Sequence, residues 1–173
     1  MTNTIEILKK IKVDAVYGKK KHFNAADRKH NYNLCLGIPN LILNIISGSI
    51  LFYVLTDGID SWIKYIPLIL TLIIAILGGI QTFNNYEKKI EGHKRVGNKY
   101  LAIMKKCIRL DSYIKDNAIS NDKLIEEIEI LSKQIDETNV EAEAFPTNQN
   151  DYLKAKKGIE NGEESYTIEE LSI

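Results

Sequence analysis

The stretch "LGIPNLILNIISGSILFYVL", residues 36–55, decides how the rest of the chain is read. It is apolar enough for a lipid bilayer. Yet it holds Asn40 and Asn44 one helical turn apart, with Ser47 and Gly48 following on the same side. A carboxamide in hydrocarbon is costly unless something hydrogen-bonds it. The wider run from Leu34 to Leu55 carries no charge, and neither does the run from Tyr65 to Tyr86. Each is 22 residues long, or about 33 Å as a helix, which crosses a hydrocarbon core of about 30 Å.

A soluble helical hairpin would need a core that surrounds both runs. The remaining sequence is mostly charged and cannot supply one. The unremarkable mean hydropathy of the 173-residue chain conceals this segregation. The first run begins more than 30 residues in, behind a charged segment, and no small-x-small cleavage pattern follows it. It is therefore expected to be retained rather than removed as a signal peptide. The two cysteines, Cys35 and Cys107, have no CxxC or Cys/His spacing and read as free thiols of a reduced compartment.

Charge orients the hairpin. Residues 1–33 carry a net +5 and residues 86–117 again +5, while the connector "TDGIDSWIK", residues 56–64, carries −1. The positive-inside rule then puts both termini in the cytoplasm and the connector outside. Tyr53, Trp62 and Tyr65 fit interfacial anchors at the outer ends. Pro67 falls in the first turn of the second helix, where its missing N–H does no harm. Pro39 either starts the first span or lies within a helix that rises from the cytoplasmic side.

Outside the membrane, Ile5, Leu8, Ile11 and Ala15 repeat at spacings of three and four, a weak amphipathic helix that Gly18 is expected to break. Lys19, Lys20, Lys21, Arg28 and Lys29 make the following piece basic and suited to anionic headgroups. After the second span, Tyr100, Ile103, Cys107, Leu110 and Ile114 form one stripe. Leu124, Ile128, Leu131 and Ile135 form another, past a turn capped by Ser120. These stripes need partners, either within the chain or on other subunits. Residues 118–173 carry −9, and the pattern fades from about Thr138, so residues 138–173 read as an acidic flexible tail. That tail is expected to lie against the basic helix 86–117. "YTIEELSI", at its end, is a candidate docking segment.

The domain reading is a basic N-terminal helix (1–33), a two-span hairpin (34–86), cytoplasmic helices (87–137) and the tail. The fold class is an all-α membrane protein, a two-transmembrane helical hairpin with cytoplasmic amphipathic or coiled-coil helices. Within the spans, Gly37, Asn40, Asn44, Ser47 and Gly48 form one small or polar face, and Thr71, Ala75, Gly78 and Thr82 another, with Gln81 beside it. Such faces either pack the spans together or line a water-filled path in an oligomer. No charged residue lies in either span, which argues against a proton relay or a voltage sensor.

Two segments resemble a known family. "KKKHFNAADR", residues 19–28, is similar to the basic-Phe-x-Ala-x-x-Arg signature before the first span of SLATT proteins, the SMODS- and SLOG-associating two-transmembrane effectors of bacteria. "YEKKIEGHKRVGNKYLAIMKKCIRL", residues 86–110, resembles the helix after their second span. The resemblance covers residues 5 to about 135. The chain departs from the signature at Lys21-His22. What it implies is an antiphage membrane effector without catalytic residues. A nucleotide second messenger or a sensor protein encoded nearby would trigger it to permeabilise the inner membrane. Carried onto this chain, the motif positions are Phe23, Arg28, His93 and Tyr100. Phe23 and Ala26 are expected to pack against the helix holding Tyr100, and Arg28 to meet Glu87, Glu91 or a lipid phosphate.

The expected partners are the bilayer, further copies of the chain and a signalling protein. A membrane-anchored scaffold for a partner is the alternative. No Ser/His/Asp set, HExxH or phosphate-cradling glycine loop points to an enzyme, and no cofactor, metal or specific nucleic acid is expected.

Overall fold

A run of 38 residues free of proline precedes Pro39, and the first of the two apolar runs follows it without a charged break. In the computed structural model, which describes residues 2–57 and 62–172, this whole stretch is one helix, α1, Thr2–Asp57. Pro39 lies inside it, where it withholds one main-chain donor. The connector tip at 58–61, part of the segment expected outside the membrane, falls outside the described residues. Trp62–Tyr65 form a 3₁₀ turn that leads into α2, Ile66–Asn84, with Pro67 in its first turn as expected. Asn85, at φ 44°, ends α2 in a left-handed cap, its N–H donating to the carbonyls of Gln81 and Thr82. The amphipathic helix α3, Tyr86–Lys115, starts at once.

Asn117, at φ 51°, terminates α3. Ser120 then caps α4, Asn121–Glu143, by accepting from the Lys123 N–H at 3.4 Å. A short α5, Gln149–Glu160, and a single turn α6, Ile168–Leu171, complete the chain. No strand occurs among the described residues.

The chain divides into two compact units, residues 1–27 with 91–173 and residues 28–90. The first is a helical bundle. Leu8, Ile11 and Ala15 of α1 share one core with Val96, Tyr100, Ile103, Cys107 and Leu110 of α3 and Leu124, Ile128, Leu131 and Ile135 of α4. The stripes thus meet one another within the chain. Each large apolar side chain buried there stabilises the fold by about 1.5–3 kcal/mol.

Gly18 does not break α1. A Cβ on Gly18 would stand 2.8 Å from the Tyr100 ring, so the glycine admits that ring against the helix. Phe23 of α1 lies in turn against Gly97 of α3, whose Cβ would stand 3.0 Å from it.

The segment expected as a flexible tail is instead largely helical and joined to the bundle. Asn148 and Asp151 form a reciprocal capping box that starts α5. Tyr152 stacks on Tyr17 at 5.8 Å, and Asn24 Nδ2 donates to the Asp151 carbonyl at 3.1 Å. Ala155 and Gly158 are buried. Glu141 of this segment meets the expected basic helix, pairing with Arg95 at 2.6 Å and with Lys99.

The second unit is the hairpin of the later half of α1 and α2. Only 6% of the most apolar window of either helix is buried, so these helices do not form the core of a soluble protein. Length and hydropathy suit both to crossing a membrane.

Candidate functional site

The two helices of the hairpin meet along a seam of small and polar residues. Gly37 leaves room for Gln81, since a Cβ there would stand 3.2 Å from Gln81 Nε2. Gln81 Nε2 donates to Asn33 Oδ1 at 2.6 Å, across the pair. One turn on, the Asn40 amide group faces Gly78, with its Nδ2 3.6 Å from where a Cβ would lie. Ser47 is buried and its Oγ donates to the Pro67 carbonyl at 3.4 Å. Of the polar face expected from spacing, Gly37, Asn40, Ser47 and Gly78 therefore lie between the helices.

The rest of that face lies outside the seam. Asn44 is exposed and donates to the carbonyl of Asn40 on its own helix at 2.8 Å. Thr71 likewise donates to its own helix, to Pro67 at 2.7 Å. Gly48, Thr71 and Thr82 are exposed on the hairpin surface, and Ala75 is exposed there too.

Beside the seam is a cleft of about 530 Å³ lined by Asn33, Asn40, Gly78, Gln81, Thr82 and Asn85. The Asn40 Oδ1 is buried with no hydrogen-bond partner. A carboxamide oxygen in that position costs about 1–3 kcal/mol unless water reaches it. The cleft is polar and roomy enough to admit water.

The juxtamembrane motif residues divide between the two units. In the bundle, Ala26 is buried, as is its neighbour Ala25, and Phe23 lies on Gly97. Tyr100 donates from its hydroxyl to Asn139 Oδ1 at 2.6 Å. His93 is fully buried, its Nδ1 3.2 Å from Nδ1 of His22, so one imidazole donates and the other accepts. Burial first, and then His93 and Lys21, push His22 down to about 4. Phe145 closes this cluster. Its ring is 5.9 Å from His93 and occupies the space that a side chain on Gly92 would need. In the hairpin unit, Arg28 places its guanidinium 6.0 Å from the centre of the Tyr32 ring.

Sequence reading missed Asn33, His22 and Phe145. Asn33 stands one residue before the uncharged run, and His22 entered only as a departure from a motif. The signal that could have found Asn33 was its helical phase, seven residues before Asn40.

Fold and seam together define a two-span, all-α membrane protein whose spans meet through carboxamides and small residues. The chain belongs to the SMODS and SLOG-associating 2TM effector domain family 4, which matches residues 5–170. The match takes in α5 and the acidic turn after it, beyond the point near residue 135 where the motif resemblance ends. Membership makes the chain a two-transmembrane effector of defence systems. Among curated proteins and among solved structures, nothing matches.

Proposed function

We propose that copies of this chain assemble in the bacterial inner membrane, with both termini in the cytoplasm, and permeabilise it when triggered, arresting or killing the infected cell. The observation that carries this reading is the polar surface that one hairpin leaves uncovered at membrane depth. Asn44, Thr71 and the small residues beside them lie outside the seam, and the Asn40 oxygen lacks a partner within it. Lipid cannot hydrogen-bond these groups, while a second hairpin or a thread of water can. An interhelical hydrogen bond in a membrane is worth about 0.6–2 kcal/mol, so several are needed to hold an assembly.

Charge supports the orientation, because both basic flanks lie on one side of the hairpin. The trigger is a nucleotide-signalling or sensor protein. The bundle passes the signal to the spans through α1, which contributes to both units.

The test is entry of a membrane-impermeant dye into bacteria expressing the chain, set against Asn40→Leu/Asn44→Leu at matched membrane levels. Dye entry with the parent chain and its loss in the variant is the expected result. Equal entry in both would remove the asparagines from the conducting or assembling face. No entry with either, with the candidate sensor protein co-expressed and phage present, would replace this reading by a scaffold that only anchors the bundle for a partner.

A further inference from the structure

Two lysines of α1 meet two glutamates from the far end of the chain. Lys19 Nζ lies 2.5 Å from Glu164 Oε2, and Lys20 pairs with Glu163 and, at 3.4 Å, with Glu164. The two sides are built differently. The lysine side chains are only 11% and 13% exposed, so their stems belong to the bundle, whereas Glu163 is 60% exposed. The glutamates arrive on a turn with its own bonds: Gly162 donates to the Ile159 carbonyl at 3.0 Å and Glu163 to Gly158 at 3.1 Å. Gly162 takes φ 81°, a backbone region that glycine enters freely. Gly158 has no side chain where the Lys20 ammonium and the Glu163 carboxylate come together above it.

We infer that Lys19 and Lys20 form a notch for paired carboxylates, that the chain's own Glu163 and Glu164 fill it as a latch, and that an acidic segment of a partner protein displaces them. The notch is fixed because α1 and its packing hold the lysines. The latch is exchangeable because ion pairs with an exposed member hold weakly and yield to competing charge. Elsewhere α5 stays attached through Tyr152 on Tyr17 and Asn24 on the Asp151 carbonyl, so release moves the turn and the residues after it. The residue pair that reads as a headgroup contact in sequence holds carboxylates here, the chemistry that an acidic peptide offers.

Amide exchange on the full-length protein in nanodiscs tests this at Glu163 and Ser165, whose N–H groups are bonded within the turn. Lys19→Glu/Lys20→Glu and, separately, Glu163→Lys/Glu164→Lys should each speed exchange there about tenfold. Lys19→Gln/Lys20→Gln should do the same with a gentler change, and unchanged exchange at Ala155 reports that α5 remains in place. All four reversals together should return exchange to within about twofold of the parent. Poly-L-glutamate should speed exchange in the parent more than sodium chloride of equal ionic strength. Exchange that ignores the charge reversals, or a failure of the combined variant to restore it, overturns the latch. Poly-L-glutamate acting no better than salt overturns its displacement by an acidic partner. These readouts involve no leak across the membrane, so they stand or fall apart from the permeabilising role.

Discussion

The imidazole pair His22–His93 sets an acid limit on the bundle. Both rings are buried and share one hydrogen bond, so a proton added to His22 is unfavourable in the folded chain. His22 titrates near 4 when folded and near its ordinary 6.5 when unfolded. Between those values the unfolded chain binds a proton that the folded chain refuses, so stability falls as pH falls through this window. The loss is complete below about 4. Thermal melts from pH 7 to 4.5 should show a falling midpoint for the parent and a flatter profile for His22→Gln. Identical profiles would mean that His22 is not the responsible group. At this scale sequence was a partial guide. Tyr100, Phe23 and His93 were singled out by motif, but Gly18 was expected to end a helix. A glycine's weak helix preference is visible in sequence, whereas the aromatic ring that needs its bare face comes from a residue 82 positions away.

Among the elements, the long ones announce themselves and α5 does not. The stripes of α3 and α4 repeat over three or more turns, and Ser120 stands where a cap belongs. In α5 only Tyr152, Ala155 and Ile159 are apolar or aromatic on the relevant side, and the bonds that fix it come from Asn148, Asp151 and distant α1. Periodicity cannot register bonds of that kind. The expected consequence is that Asn148→Ala costs about 1 kcal/mol. Far-UV circular dichroism would show a small loss of helix, and proteolysis would open residues 149–160 first. A variant as resistant as the parent would show that packing alone holds the element. The hairpin teaches a related lesson. Each span carries its small and polar residues over a broad arc, and only the partner helix determines which edge becomes the seam. Asn40 and Ser47 fall on it, while Asn44 and Gly48 fall outside it.

For the whole molecule, two charge-free runs of 22 residues made the membrane hairpin legible, because hydrocarbon thickness is a fixed length. The division into units was not legible. Residues 1–27 join residues 91–173 across the hairpin in sequence, and their shared core rests on contacts between segments about 90 residues apart. Since that core lies wholly within one unit, replacing residues 28–90 by a flexible linker should leave a soluble, helical, cooperatively melting bundle. A molten or aggregated product would show that the bundle depends on the spans. Finally, the two thiols differ sharply in reach. Cys107 is buried and its thiol pushed up to about 11, while Cys35 is exposed at the edge of the first span. The native chain therefore offers a fluorophore one reactive position per copy, and the number of photobleaching steps in a single labelled particle counts the subunits with no residue changed.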